Sequence, residues 1–224
     1  MKAPITKHDP WRYGEQLSEI SDLVECEWLL RNLPMKETSV VVDIGCGTGR
    51  HSLFLAQNSE IRKVIACDFI KENIDFLQSQ IEERDLRNIN AVCCNVEQMK
   101  KIVGNGRCDI IIGVGIIQYL VTEEQMANFV KSCSSVLENN GSLILKHPLS
   151  SGDTYTVDYH REEMDTRYVS TYYNIADIVD YFGEEFKLLG YERTFTEENL
   201  GERLSEIENH ESTRQMWLRL EKKK

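Results

Sequence analysis

Short apolar runs of strand length alternate along this chain with longer stretches of helical periodicity, and that alternation leaves few folds open. The runs occupy 39–44, 63–67, 89–94, 108–114 and 142–147. A helix fits after Gly49, and between the second and third runs Ile70, Ile74, Leu77 and Ile81 fall on one helical face. Strands joined through helices lie parallel, because the crossover returns the chain to the end of the sheet from which it left. The expectation is an α/β fold in which a parallel sheet is covered by crossover helices. At 224 residues and 41% hydrophobic, the chain can bury one sizeable core. It therefore reads as a single domain over 1–224.

The flanking segments fill in that plan. Leu17, Ile20, Val24 and Trp28 predict a helix over 15–32, ended by Pro34, so that 1–35 forms an N-terminal helical cap on a 36–148 core. Thr122 and Gln125 have capping-box spacing, and Val121 and Met126 stand where a hydrophobic staple would. Met126, Phe129, Val130, Cys133, Val136 and Leu137 then give a helix over 122–138 one apolar stripe, stopped by Asn139, Asn140 and Gly141. Residues 149–173, with Tyr155, Tyr159, Tyr168, Tyr172 and Tyr173 among many charges, show no clean period and read as a long functional loop or cap. In 174–224, a helix over 174–182 and strands over 186–193 and 215–220 close the chain, the strands linked by a Glu-rich segment with room for an exposed helix.

Charge and composition remove several function classes. A net charge of −11 repels polyanions and anionic membrane faces, so neither nucleic acid nor membrane is an expected partner. The longest apolar stretch, over 110–117, falls far short of the roughly 20 residues of a spanning helix, and the first residues lack the apolar core of a secretory signal. The 7 cysteines are odd in number, form no CxxC pair and lie mostly in apolar runs, which suits buried thiols in a reducing, cytoplasmic setting. Cys93 and Cys94, adjacent on a strand, point to opposite faces. His8, His51, His147, His160 and His210 are too scattered for a zinc site, and no metal is expected.

The chemistry concentrates at Asp43-Ile44-Gly45-Cys46-Gly47-Thr48-Gly49-Arg50, which follows the first strand and opens a helix. Glycines there allow positive φ and let a ligand reach bare backbone, while the helix start offers N–H donors. Asp68 ends the second strand, where a carboxylate can accept both ribose hydroxyls, and Asn95 and Val96 follow the third, where an amide and a backbone N–H can read an adenine edge. Asp43 can meet a cationic amine. A dinucleotide fingerprint needs glycine at position 50, which is Arg50, and no GK[ST] of a P-loop is present.

This run resembles the first motif of the class I S-adenosylmethionine-dependent methyltransferases, and the resemblance covers 39–148. It implies a Rossmann-like, seven-stranded, mostly parallel sheet with helices on both faces and the last strand antiparallel. It also implies S-adenosyl-L-methionine as cofactor. The loop residues Gly45, Cys46, Gly47 and Gly49 would line its methionine end, Asp43 its amino group and Asp68, with Phe69 beside it, its ribose. Asn95 and Val96 would flank the adenine, although the family usually has aspartate where Asn95 stands. Gly113 lies in the strand segment that borders the transferred methyl group. Tyr13, in a segment that folds over the cofactor in many relatives, would join the cofactor site, with Trp11 on the substrate side. Tyr119, after the fourth strand, and His147, ending the fifth, stand as catalytic and substrate-binding candidates, with Tyr155, Tyr159, Arg167 and Tyr168 of the cap lining the substrate.

The implied activity is methyl transfer to a small-molecule acceptor, nitrogen somewhat ahead of oxygen. Six glutamates over 197–211 read first as a solvated acidic face, and beyond that they tilt the acceptor slightly towards a cationic amine. The alternatives are a protein or peptide N-methyltransferase, since 112–148 has similar spacing, or a non-catalytic S-adenosylmethionine-binding partner protein. A homodimer stays open. The Asn-Pro-Pro-Tyr signature of nucleic-acid amino methyltransferases is absent at 113–116.

Overall fold

The computed structural model describes residues 15–34, 36, 39–57, 61–161, 165–194 and 213–224. Trp11, Tyr13 and the Glu-rich segment over 195–212 lie outside the described residues. The helices are α1 (Glu15–Asn32), α2 (Arg50–Ala56), α3 (Lys71–Glu83), α4 (Met99–Val103), α5 (Glu123–Val136) and α6 (Ile175–Phe182). The strands are β1 (Ser39–Ile44), β2 (Ile61–Asp68), β3 (Ile89–Cys93), β4 (Cys108–Val114), β5 (Leu137–Ser150), β6 (Tyr155–Arg161), β7 (Thr166–Tyr172), β8 (Phe186–Arg193) and β9 (Thr213–Lys222).

Among the described residues, seven strands form one sheet in the order β3-β2-β1-β4-β5-β9-β8. β1, β2, β3, β4 and β5 pair parallel, and β9 runs antiparallel to both β5 and β8. The alternation of side chains along each strand explains the two helical layers. Val40, Val42, Ile44 and Ile111 face a core shared with Met126, Phe129 and Phe182 of α5 and α6. Val41, Ile110 and Ile112 face the opposite core with Trp28, Leu53 and Leu77 of α1, α2 and α3. Trp28 stacks flat on Trp217 of β9, with ring centroids 4.4 Å apart, and so fastens the N-terminal helix to the sheet.

α5 follows the sequence reading closely. Thr122 accepts from the Gln125 amide, Gln125 returns its side chain to the Thr122 amide, and every residue of the expected stripe is buried. Val121, the outer half of the expected staple, is 37% exposed. The Asn139-Asn140-Gly141 stop sits inside the start of β5, where the pairing shifts between Cys108 and Ile110 and Asn140 takes a φ of 63°. As the strand spacing requires, Cys93 is exposed and Cys94 buried.

The segment after His147 is where the expectation of a loop fails. β5 continues to Ser150, still paired with β9 through Pro148, Leu149 and Ser150. β6 and β7 then form an antiparallel hairpin, registered from Tyr155 opposite Tyr172 to Arg161 opposite Thr166. The hairpin is pinned at its base. Ser150 donates to the Tyr173 carbonyl, the Tyr173 amide to His147 Nε2, the Asn174 amide to Thr154 Oγ1, and the Tyr173 hydroxyl to the Leu120 carbonyl.

The strand order reverses direction at β1: successive strands move outward through β2 and β3 on one side and through β4 and β5 on the other. A crevice opens at such a switch point, beyond the carboxyl ends of β1 and β4, and it is the place in open α/β sheets where ligands bind.

Candidate active site

At the carboxyl end of β1 the chain needs a turn tight enough to enter α2 at once. Gly45, Gly47 and Gly49 supply it at φ of 65°, 56° and 86°, values at which a side chain is strained. The three serve different ends. A Cβ on Gly49 would lie 2.3 Å from Leu77 of α3, so that glycine permits helix packing, and one on Gly45 would lie 3.1 Å from the Ile116 side chain. A Cβ on Gly47 would meet nothing within 4 Å, so this backbone borders open space. The loop is fixed from behind by Cys46, whose amide donates to the Cys67 carbonyl, and by the Gly49 amide donating to the Cys46 carbonyl.

Two carboxylates flank the loop. Asp68 is 6% exposed, and its oxygens accept from the Gly47 amide and the Ile70 amide, each at 2.8 Å. Each carboxylate oxygen has a further lone pair, so two acceptor sites remain for paired hydroxyls. Beside it the ring of Phe69 is 65% exposed, an apolar surface at the rim. Asp43 is buried and accepts from the Ser52 hydroxyl of α2 at 2.5 Å. Burial pushes its pKa up to about 7 despite the Ser52 hydrogen bond and nearby Arg50, and the Asp68 charge adds to the rise.

After β3, Asn95 is exposed and caps a short 3-10 turn that begins at Val96. Its carbonyl oxygen accepts from the Gln98 amide, and Gln98 returns its side chain to the Asn95 amide. The Asn95 backbone N–H and one side of its carboxamide are therefore occupied locally, leaving its NH₂. In β4, Gly113 is small for a packing reason: a Cβ there would lie 3.1 Å from both Ile116 and Leu145.

A buried ion cluster behind the loop was not legible in the sequence. Glu25 of α1, 1% exposed, holds Arg50 at 2.5 Å, His51 Nε2 at 3.1 Å and Lys146 Nζ at 2.7 Å. Lys146 and Arg50 hold the Glu25 carboxyl below its usual range against the cost of burial, while burial and Arg50 push His51 down to about 4 and keep it neutral. Glu25 thus ties Arg50, beside the glycine loop, to Lys146 of β5.

Two of the residues expected to face an acceptor are placed elsewhere. His147 is not at the end of β5. Because that strand runs on to Ser150, His147 lies inside the sheet opposite Met216, wholly buried, with Nε2 accepting from the Tyr173 amide. Burial pushes its pKa down to about 3, so it is a neutral ring that holds the hairpin base and a poor proton acceptor at neutral pH. Arg167 projects from the outer face of the hairpin, where it pairs with Asp158 through two hydrogen bonds, because odd positions of β7 point away from the tyrosines.

The structure does bring Tyr119, Tyr155, Tyr159 and Tyr168 together. Tyr119 meets Tyr168 edge-on at 6.3 Å, Tyr159 lies 5.2 Å from Tyr168, and Tyr155 stacks on Tyr172 at 5.1 Å. Tyr172 and Ser170 belong to the same face and were missed. Their signal was the alternation of Tyr155, Val157 and Tyr159 in one segment and Tyr168, Ser170 and Tyr172 in the next. Among the described residues, no group of three or more ligating side chains can hold a metal, and no helix is long and apolar enough to cross a membrane.

Comparison with known proteins agrees with this geometry. The methyltransferase domain family matches residues 41–141. Phosphoethanolamine N-methyltransferase 1 of Caenorhabditis elegans is 29% identical over 56% of this chain and 25% of its own length. The tRNA (carboxymethyluridine(34)-5-O)-methyltransferase ALKBH8 of Mus musculus is 26% identical over 62% of this chain and 19% of its own. The chain spans about a third or less of the length of the first curated relatives it matches. Among solved structures, the Burkholderia thailandensis 1,6-didemethyltoxoflavin-N1-methyltransferase, determined with S-adenosylhomocysteine, superposes with a TM-score of 0.66 at 14% identity, covering 96% of this chain and 82% of that one. Residues 41–141 match the methyltransferase domain family, and the chain has the Rossmann-like fold of the class I S-adenosylmethionine-dependent methyltransferases.

Proposed function

We propose that this protein is an S-adenosylmethionine-dependent methyltransferase that acts on a small-molecule acceptor, with nitrogen preferred to oxygen. The observation that carries the reading is the bare Gly47 backbone, open to the crevice and flanked by the buried carboxylates Asp43 and Asp68 at the ends of β1 and β2. S-adenosylmethionine, when bound, supplies an electrophilic methyl group whose loss turns a sulfonium into a neutral thioether.

The residues present fit that group. Asp68 has lone pairs for the ribose hydroxyls, Phe69 offers an exposed ring at the rim, and Asp43 meets the amino group. In-line displacement asks mainly that nucleophile and methyl be aligned and water excluded. A hydroxyl acceptor also needs a base of matched pKa, which neutral, buried His147 does not provide, whereas an uncharged amine brings its own lone pair. That difference supports nitrogen.

The relatives include both an N-methyltransferase of a small amine and a tRNA methyltransferase by name. With a net charge of −11, the small acceptor is the better match. Calorimetry with S-adenosylmethionine, its demethylated product and NAD tests the cofactor, and a panel of small amines, phenols and transfer RNA tests the acceptor. Binding of both sulfur compounds but not NAD, followed by methylation of an amine, is expected. Absence of sulfur-compound binding, or methyl transfer to transfer RNA alone, overturns the reading.

A further inference from the structure

Three cross-strand pairs share the inner face of the β6–β7 hairpin: Tyr155 opposite Tyr172, Val157 opposite Ser170, and Tyr159 opposite Tyr168. Positions two apart on a strand are separated by about 7 Å, so the tyrosine pairs stand as two walls with the smaller Val157 and Ser170 between them. The walls are graded from dry to wet. Tyr168 and Tyr172 are 5% and 7% exposed, whereas Tyr155 and Tyr159 are 37% and 47% exposed. Tyr119 adds a fifth ring, edge-on to Tyr168. Ser170 is wholly buried between the walls, and its hydroxyl has no hydrogen-bond partner among the described residues. A buried hydroxyl in that state costs free energy until something polar meets it.

This face adjoins the glycine loop. The Tyr119 amide donates to the Ile116 carbonyl at 3.0 Å, and the Ile116 side chain lies 3.1 Å from where a Cβ on Gly45 would be. Its charge is equally defined. The cationic side chains described on the hairpin are accounted for elsewhere: Arg167 pairs with Asp158 on the outer face, and His160 with Asp165. What the inner face offers is aromatic π density and hydroxyl oxygens, and the π density favours a cation over an anion.

We propose that the tyrosine face of the β6–β7 hairpin, with Ser170 at its floor, is the recognition surface for an alkylammonium group, so that the acceptor is an aliphatic amine whose methylated product is a cation. The proposal rests on the reading above and names its acceptor class. Rings at this spacing can enclose a methylated nitrogen from two sides, and Ser170 gives a lone pair to an ammonium N–H. The amine reacts in its neutral form, its proton having passed to solvent; its lone pair forms the new N–C bond as the sulfonium C–S bond breaks, and the positive charge left on the nitrogen is stabilised by the rings. A polyanion such as RNA, whose bases could stack on the same rings, meets a chain of strongly like charge.

The test uses the full chain and two probes of the same shape, choline and its neutral carbon isostere 3,3-dimethylbutan-1-ol, titrated by calorimetry with and without S-adenosylmethionine. Choline is expected to bind about 3- to 30-fold more tightly than the isostere, the range of a partly desolvated cation–π contact. Tyr159→Leu, at an exposed position that folding tolerates, should erase that preference, while Tyr159→Phe should keep it and both should leave cofactor affinity unchanged. Equal affinity for the two probes overturns the proposal, as does a preference that survives Tyr159→Leu. Transfer RNA that binds and loses affinity with Tyr159→Leu also overturns it, assigning the face to base stacking. The two readings fail separately. A chain that binds no S-adenosylmethionine sinks the methyltransferase reading whatever choline does, and one that binds it without distinguishing choline from the isostere sinks only this inference.

Discussion

At the ends of β1 and β2 the candidate cofactor site is built mostly of backbone: three glycines at positive φ, amide donors, and two buried carboxylates held by a hydroxyl or by amides. At the ends of β4 and β5 the proposed acceptor side is built of side chains, five tyrosine rings carried by a turn and an added hairpin. A backbone site accepts few sequences, because only glycine tolerates the turn and only a short carboxylate reaches its amides. A side-chain face keeps the same strand pairing under many sequences, so its chemistry can change without changing the fold. On the proposed function, the first region selects the cofactor and the second the acceptor.

Glu25 spans the two regions, since it holds Arg50 beside the glycine loop and Lys146 next to His147. Removing it takes their shared buried carboxylate from Arg50 and Lys146. Glu25→Ala is therefore expected to cost about 3–5 kcal/mol of stability, measured by chemical denaturation. If the loss is under about 1 kcal/mol, within the range of a surface pair, the cluster does not join the halves.

The second substitution separates packing from binding within the loop. Gly47→Val puts a side chain into the open crevice, and should weaken S-adenosylmethionine binding by about 100-fold or more, the equivalent of about 2.7 kcal/mol. The positive φ of Gly47 adds a folding cost of about 1–3 kcal/mol, so binding is read at a temperature where the variant is folded. Gly49→Ala should show the reverse pattern, losing stability because its Cβ meets Leu77. Equal cofactor affinity in Gly47→Val would mean that the crevice at this glycine is not the cofactor site.

Asp68 tests the same side at a smaller scale. Asp68→Ala is expected to weaken cofactor binding by about 1–3 kcal/mol through lost charge-assisted hydrogen bonds. Because Asp68 also holds the Gly47 and Ile70 amides, Asp68→Asn, which keeps one carbonyl acceptor, should fall between the two. Calorimetry that finds Asp68→Ala unchanged removes the ribose role.

The same contrast governs what the sequence reveals. Asp43, Gly45, Gly47, Gly49 and Asp68 were legible because each answers a strict backbone need at a strand end. The parallel order of β1 to β5 was legible because apolar runs of strand length alternate with helical periods. The hairpin was not, because Asp158, His160 and Arg167 on its outer face interrupt the tyrosine pattern and make a two-residue alternation look like a polar loop. His147 was misplaced for a related reason: Pro148 suggests the end of a strand, yet β5 keeps its partners on β9 for three more residues. Ser52 and Glu25 carry no local signal at all, since Glu25 meets its partners 25, 26 and 121 residues away.

Asp43 gives the most restrained prediction, and one that touches only the backbone-built side. Its pKa stands at about 7 in the protein against an ordinary 3.8, raised first by burial. The cofactor's amino group is cationic below its own pKa of about 7.7–8.0, so between about pH 5.5 and pH 7.5 the group that changes charge is Asp43. Below about 7 it is protonated and presents no charge to the cation. Affinity should then fall by up to about tenfold per pH unit, with a proton released on binding. Folding has the opposite sign. Burial favours the neutral carboxyl, so its contribution to stability is fully present below the unfolded value and is lost as pH rises through about 7. The increase in melting temperature that S-adenosylmethionine confers should therefore grow from pH 5.5 to 7.5, even as the unliganded protein loses this stabilisation. Choline binding at the tyrosine face, which among the described residues is built of rings and hydroxyls, should stay level across the same range. A cofactor affinity flat in pH with no proton release would detach Asp43 from the amino group. Parallel pH profiles for both ligands would mean that the two sides of the crevice are not the separate sites their construction implies.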